Sequence, residues 1–390
     1  MEFIVILMHM IAQIILSGRI NMNKNLEKTQ IYSTWGDKLL QHTDVLYSLQ
    51  IDKQIKPITI QLAPVEVCDS DCPFCSVAGR PLKSKIPFEK IVKLLKDFKS
   101  LGAKSVEITG GGNPLLYRDE FNGQKKDIND IIEVASDLGF DIGIITNSHN
   151  LSKSLKKESY NKINWLRISL IQLDEGREPE EYFFNDFPEE KLAFSYIIYE
   201  STGDKPDSLS RTKKPYIGTT TKTIQKMAKL VQLHPNVKFV RIAGNCLIKG
   251  NNADVRERWK DVIKEIDTLD KFFIKDIGYD DDPYNDGCYV GGIRPYIAPN
   301  PHGADYQVYI CTSHVLQKRT YDIDWSLGSI DNVLEIWHKM SENLKNGLAP
   351  YQIKGNDGKN WCDTCKYCYY KFNNKLLHTV VSEMPDKNFP

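Results

Sequence analysis

The chain carries no excess charge of either sign: 51 Lys and Arg stand against 51 Asp and Glu. A neutral total supplies no long-range field towards nucleic acid or an anionic membrane, so neither is expected as a partner. A long apolar segment is also missing. The one apolar run, residues 1–16, is broken by His9 and Gln13 and falls short of a membrane span, which takes about 20 apolar residues. Its opening lacks the basic residues of a secretory signal, since Glu2 comes first and no Lys or Arg precedes Arg19. It reads as a dispensable extension ahead of Met22, with a membrane-surface anchor as the alternative. No repeat with the period of a solenoid or propeller is present. Histidine is sparse at 8 residues.

Cysteine is what the chain has instead. Of nine, Cys68, Cys72 and Cys75 form one group and Cys288, Cys311, Cys362, Cys365 and Cys368 another, with Cys246 alone between them. Such clustering suits metal binding in a reducing cytoplasm better than a secreted disulfide framework, and a cytoplasmic location is expected. A chain of 390 residues can bury a core without staples.

The first group lies in Cys68-Asp69-Ser70-Asp71-Cys72-Pro73-Phe74-Cys75. Spacers of three and two residues let three thiolates converge on three irons of a cubane iron–sulfur cluster. The fourth iron is then left without a protein donor, which opens a place for chemistry. The competing reading is structural zinc, which takes four nearby Cys or His ligands. No such fourth ligand is close in sequence: His42 lies well upstream and His149 far downstream.

Around this stretch the chain alternates between strand and helix patterns. Strands are expected at 57–63, 105–109, 141–146, 165–170, 192–199 and 237–243. Helices are expected at 88–101, stopped by Gly102, at 127–138, stopped by Gly139, and at 222–233 and 254–269. Six strands with helical or long crossovers point to an α/β fold with a parallel sheet. Residues 22–55 read as one or two helices packed outside it, and 202–215 as a surface loop. After residue 275 the composition turns rich in glycine, proline, aspartate and tyrosine. The expected division is therefore an N-terminal extension with packing helices at 1–55, a main domain at 56–275, a smaller loop-rich domain at 276–375 and a tail at 376–390.

The Cys68–Cys75 spacing, with Phe74 before the last cysteine, resembles the signature of the radical S-adenosylmethionine (radical SAM) superfamily. The resemblance implies a partial (β/α)6 barrel and a [4Fe–4S] cluster whose open iron chelates the amino and carboxylate groups of SAM. It further implies that a reduced cluster splits SAM homolytically, and that the resulting 5′-deoxyadenosyl radical takes hydrogen from a substrate. Gly110-Gly111-Gly112-Asn113-Pro114 is similar to the family's Gly-Gly-Glu-Pro turn, whose backbone binds the SAM amino group. Asn113 stands where Glu is commoner, and because the contacts are largely main-chain the change alters little. Thr146-Asn147-Ser148 is similar to a Thr-Asn-Gly often found after the third strand. Arg167-Ile168-Ser169-Leu170 is similar to Arg-x-Ser-Leu, which assigns Ser169 to the SAM carboxylate or ribose. Arg241 on the sixth strand is a candidate carboxylate partner. For each, the bland reading is a polar group satisfied at a strand end.

Cys246, just past the sixth strand, is either a buried free thiol or a hydrogen-atom donor to a substrate radical, as in radical SAM epimerases. The second cysteine group, with Val308-Tyr309-Ile310-Cys311, Leu327-Gly328-Ser329-Ile330 and Glu335-Ile336-Trp337, resembles the SPASM/twitch C-terminal domain. Tyr306 replaces the glycine expected before Cys311, and the full SPASM run of cysteines is absent. The resemblance therefore implies one auxiliary [4Fe–4S] cluster held by four of the five cysteines, with a zinc knuckle as the alternative.

Together these imply a radical SAM enzyme acting on a ribosomally made peptide by cross-linking, oxidation or epimerisation. A small molecule or nucleoside is the alternative substrate, and a non-catalytic iron–sulfur or zinc scaffold the alternative class. A flavodoxin or ferredoxin is the implied electron donor. Residues 22–56 are short for a leader-binding domain, which counts against a leader binder in this chain and leaves a separate one open.

Overall fold

The computed structural model describes residues 24–32, 36–78, 80–148, 150–201, 218–245, 251–275, 287–301, 303–312, 325–351, 368 and 370–382. The expected loop at 202–215, the extension at 1–21, and Cys246, Cys362 and Cys365 lie outside the described residues.

Six parallel strands form the centre in chain order: β1 (Thr59–Leu62), β2 (Ser105–Ile108), β5 (Asp141–Thr146), β6 (Trp165–Ser169), β7 (Leu192–Ile198) and β8 (Val240–Gly244). Between β2 and β5 an unexpected hairpin of β3 (Arg118–Phe121) and β4 (Gln124–Asp127) stands apart as its own two-stranded sheet. Strand β8 starts later than its apolar pattern suggests, because His234–Val237 is held in a turn by the Val237 N–H to the His234 carbonyl at 3.0 Å.

Two further parallel strands flank the six. β9 (Phe272–Ile274) pairs with β8, and β10 (Tyr296–Pro299) pairs with β1 in the register Gln61↔Tyr296. β10 is then joined in antiparallel fashion by β11 (Tyr306–Tyr309), and β11 by β12 (Ser326–Ser329), which completes a ten-stranded sheet. Neither β9 nor β10 was expected from the sequence, because both border the loop-like composition that sets in after residue 275. Sheet and core both continue across position 275: one apolar cluster runs from Leu39 through Ile60 and Ile168 to Trp337 and Leu377.

The flanking helices follow their apolar stripes. α1 (Lys24–Tyr32) packs near β9, with the Tyr32 ring stacked 4.5 Å from Phe239. α2 (Phe88–Ser100) buries Ile91, Leu94, Leu95 and Phe98, one face at helical spacing. Its N-cap is Pro87, which offers no side-chain acceptor. The cap comes from the hairpin instead: Asp119 Oδ2 accepts from the Phe88 N–H at 2.7 Å. α3 (Ile128–Asp137) begins with a capping box built by Asp127 and Asp130. Both helices stop at the expected glycines, Gly102 (φ 96°) and Gly139 (φ 73°), in left-handed geometry that suits glycine.

α4 (Thr221–Leu233) and α5 (Asn251–Ile266) cover the later strands. From the C-terminal part, α6 (Val333–Lys345) packs on α2, where Trp337 meets Phe98 edge-on at 5.0 Å. α7 (Lys371–Val381) runs into the stretch expected as a tail. No helix among the described residues is long and apolar enough to cross a membrane.

Candidate active site

β1 delivers the chain into a loop closed at its base by a bridge between Val65 and Lys85. Two backbone bonds lock that base, Glu66 N–H to the Ser84 carbonyl and Ile86 N–H to the Pro64 carbonyl, both 2.9 Å. Inside it, Cys75 N–H bonds to the Cys72 carbonyl at 3.2 Å, so the two-residue spacer forms a tight turn. All three cysteines line one cavity of about 270 Å³. The other walls are Thr109 and Gly110–Gly112 after β2, Ile145–Asn147 at the end of β5, and Ser169 at the end of β6 with Ile171 beyond it. These walls are the C-terminal ends of parallel strands, where α/β proteins place ligands.

The glycines answer to space. A Cβ on Gly111 would sit 1.8 Å from the Glu66 carboxylate, and one on Gly112 would sit 2.0 Å from the Val67 carbonyl. The turn therefore lies directly against the segment that leads into Cys68. Two backbone bonds hold it there, Gly112 N–H to Val65 at 3.1 Å and Asn113 N–H to Val67 at 2.8 Å.

Asn113 is fully buried and ties three pieces together. Its Nδ2 donates to Asp69 Oδ1 at 3.2 Å, and its Oδ1 accepts from Thr146 Oγ1 at 2.8 Å and from Leu115 N–H at 3.2 Å. It stands behind the cavity wall, joining the cysteine loop, the glycine turn and the end of β5. Pro114 starts the short turn Pro114–Leu116, and Phe74 packs its ring 5.4 Å from Tyr199; the residues lining the cavity include neither. Asn147 lines it and donates to Cys68 Sγ at 3.5 Å. Arg241 lies in the cross-strand row Ser169↔Ser195↔Arg241, two strands from Ser169.

Burial pushes the Cys72 thiol well above its ordinary range, and the neighbouring Cys75 and Cys68 push it further. Burial also raises Cys68. Thiols this reluctant to ionise need a cation to hold them as thiolates. Among the described residues no group of three His, Cys, Asp or Glu side chains is gathered on a point that could hold one metal ion. A cubane cluster does not ask for that, because it offers each thiolate a separate iron. The all-sulfur donor set suits iron, and the glycine turn leaves backbone open to the cavity.

Sequence reasoning missed two cations here. Arg80 Nη1 donates to Cys75 Sγ at 3.4 Å, and Arg177 Nη2 donates to Ser70 Oγ at 2.9 Å. Neither sits at a motif position, so no spacing signalled them. Deeper in the sheet, Glu107 is buried among Gln61, Arg294 and Arg167. Burial alone would raise its carboxyl, but Arg294 first, then Arg167, hold it below the usual carboxylate range. Burial lowers Arg167, partly offset by Glu107.

In the C-terminal part, Cys288 Sγ accepts from Gly291 N–H at 3.3 Å, and Cys368 Sγ accepts from Tyr370 N–H at 3.3 Å. Burial pushes Cys288 up to about 11, and Cys311 is close enough to add to it. Cys288 forms a backbone bridge with Tyr351, and Tyr351 and Cys311 both pack against the Ile310–Trp325 cluster.

Residues 62–178 match the family model of the Radical SAM superfamily. A curated relative, the GTP 3′,8-cyclase of Marinobacter nauticus, is 28% identical over 125 residues, which are 30% of this chain and 33% of that protein. The chain thus matches about a third of the length of that relative. Among solved structures, Streptococcus suis SuiB bound to S-adenosylmethionine is similar at a TM-score of 0.50 and 17% identity, covering 83% of this chain and 73% of that one. SuiB bound to precursor peptide SuiA gives a TM-score of 0.51 at 14% identity, over 84% and 82%. These likenesses agree with the parallel-sheet fold described above. Residues 62–178 thus form a radical SAM superfamily domain, of a superfamily of enzymes that work through a [4Fe–4S] cluster and S-adenosylmethionine.

Proposed function

We propose that this enzyme holds a [4Fe–4S] cluster on Cys68, Cys72 and Cys75 and SAM beside it, and acts on a ribosomally made peptide. The observation that carries the reading is the shared cavity, which sets three thiols facing the glycine turn, Asn147 and Ser169. When bound, the pair supplies a 5′-deoxyadenosyl radical that abstracts hydrogen from the substrate. The backbone of Gly110–Gly112 offers a surface to the amino end of SAM, and Ser169 and Arg241 serve its carboxylate and ribose. Phe74 and Pro114 shape the two loops, and Asn113 fixes them to each other through Asp69 and Thr146.

Four of the five cysteines Cys288, Cys311, Cys362, Cys365 and Cys368 provide the ligands of an auxiliary [4Fe–4S] cluster in a twitch-like segment over 276–375. The closeness of Cys288 and Cys311 through Tyr351 supports this. A flavodoxin or ferredoxin supplies electrons in the cytoplasm. Cys246 is the candidate hydrogen-atom donor, and a Cys246→Ala variant that gives the normal product at the normal rate would remove it.

The peptide reading draws on the likeness to SuiB, which binds precursor peptide SuiA. The second reading, a nucleotide or other small molecule, draws on the cyclase match over 125 residues. The test is anaerobic: reconstitute the protein, add SAM and dithionite, and quantify 5′-deoxyadenosine. Slow cluster-dependent formation is expected, and addition of peptides or of nucleotides then separates the two readings by which accelerates it. No SAM binding by the reconstituted protein would overturn the assignment of the cavity.

A further inference from the structure

Arg80 stands five residues beyond Cys75 and only 7% of its side chain is exposed. Each edge of its guanidinium has a different task. Nε donates to the Glu66 carbonyl at 3.1 Å and lies 3.0 Å from Glu66 Oε2. Nη1 donates to the Val77 carbonyl at 3.0 Å and to Cys75 Sγ at 3.4 Å. The group is thus anchored to the strand-side base of the loop and to the turn after Cys75, with one N–H directed at a sulfur.

Glu66 is itself pinned. It is buried, its backbone N–H is tied to Ser84, and the space over its carboxylate is the space that a Cβ on Gly111 would fill. The glycine turn, the carboxylate, the guanidinium and the Cys75 sulfur therefore form a stack in which no member moves alone. This makes a second use for Gly111 besides leaving backbone open to a ligand.

We propose that Arg80 is a positioning residue that sets the reduction potential of the cluster held by Cys68, Cys72 and Cys75, by presenting a fixed cationic donor to the Cys75 sulfur. The inference rests on the cluster reading given above. Reduction adds one electron to the cluster, and part of that charge resides on its sulfur ligands. Hydrogen bonds to those sulfurs are among the levers on the potential. A guanidinium keeps its charge at any working pH and binds through a rigid fork. In a buried setting its field is weakly screened, so it favours the reduced state. Lysine would keep the charge but could not reach Glu66 and Cys75 in one fixed geometry.

The test uses the full chain, reconstituted anaerobically as wild type, Arg80→Gln and Arg80→Lys. Iron content and the reduced-state EPR signal come first, then the midpoint potential from an EPR-monitored redox titration. Arg80→Gln is expected to lower the ratio of reduced to oxidised cluster at least tenfold at a fixed ambient potential, which for a one-electron couple is about 59 mV. Arg80→Lys is expected to shift it in the same direction by less. A fully iron-loaded Arg80→Gln protein that titrates at the wild-type midpoint overturns the proposal.

A second measurement needs no variant. Wild-type protein labelled with ¹⁵N in the arginine side chains is expected to show a weak nitrogen coupling to the reduced cluster by pulsed EPR. Neither Asn147 nor the SAM amino group can supply that signal. Its absence from a protein with an intact cubane signal overturns the proposal alone. A wild-type protein with no cubane signal overturns the cluster reading and the proposal together.

Discussion

Nη2 of Arg294 lies 3.1 and 3.0 Å from the two carboxylate oxygens of Glu107, joining residues 187 positions apart. Gln61 Nε2 donates to the same carboxylate at 2.5 Å, and Tyr370 OH accepts from Arg294 Nη1. A C-terminal arginine is therefore clamped between β2 and Tyr370, two residues after Cys368. Breaking a buried pair by removing one partner leaves the other charge uncompensated. Glu107→Gln should cost about 3–5 kcal/mol, read as a drop in the denaturation midpoint. A midpoint unchanged from wild type would mean that the pair contributes nothing.

The same pair predicts a pH dependence. The folded Glu107 carboxyl titrates below its ordinary range. Its contribution is therefore complete above the unfolded glutamate value and is lost as pH falls through the folded one. The stability gap between wild type and Glu107→Gln should hold from neutral pH to about pH 4, near the unperturbed value, and close below it. A gap that widens on acidification would contradict the sign.

Asn113→Ala should strip Thr146, Leu115 and Asp69 of a common partner at once. Buried groups left unsatisfied cost about 1–3 kcal/mol each, so the loops around the cavity should loosen. SAM affinity of the reconstituted variant, measured by equilibrium binding, is expected to fall at least tenfold while iron content stays near wild type.

How much of this was legible depends on the length of the signal. Helix 88–101 and strand 141–146 could be read from their apolar spacing alone, and both glycine stops were found because only a left-handed residue ends a helix that way. The strands β9 and β10 were not: each is short and lies beside the glycine-, proline- and aspartate-rich stretch after residue 275, whose composition reads as loop. For the site, Cys68, Cys72 and Cys75 were named from their spacing, and the glycine turn, Asn147 and Ser169 from the family resemblance; all line one cavity. Asn113 was read as a substituted ligand-loop residue, whereas its side chain serves the protein's own packing. Arg80 and Glu107 carry no spacing signature; their partners lie on other elements and become visible only in three dimensions.

Gly111→Ala should be far more harmful than a single methyl suggests. Its Cβ would meet the Glu66 carboxylate at 1.8 Å, and Glu66 has Arg80 against it. Overpacking of this kind costs about 1–3 kcal/mol. The expected outcome is altered reduced-cluster EPR together with weaker SAM binding; a wild-type spectrum and affinity would show that the stack has slack.

Iron counting separates the two cysteine groups. Two cubane clusters require about eight irons per chain, four in each. Replacing Cys68, Cys72 and Cys75 by Ala should leave about half of them and abolish 5′-deoxyadenosine formation. Finding about four irons and one zinc in the wild type would convert the C-terminal group into a zinc site.

The pairing of β10 with β1 has a consequence for truncation. Strand Thr59–Leu62, which leads into the cysteine loop, would otherwise present a row of bare peptide N–H and C=O groups along one side. Such margins recruit strands from other molecules. The C-terminal part is thus a sheath for the strand on which the cysteine loop hangs. A chain cut before Tyr296 should self-associate, and its inactivity would report a frayed sheet margin before it reported anything about the C-terminal cysteines.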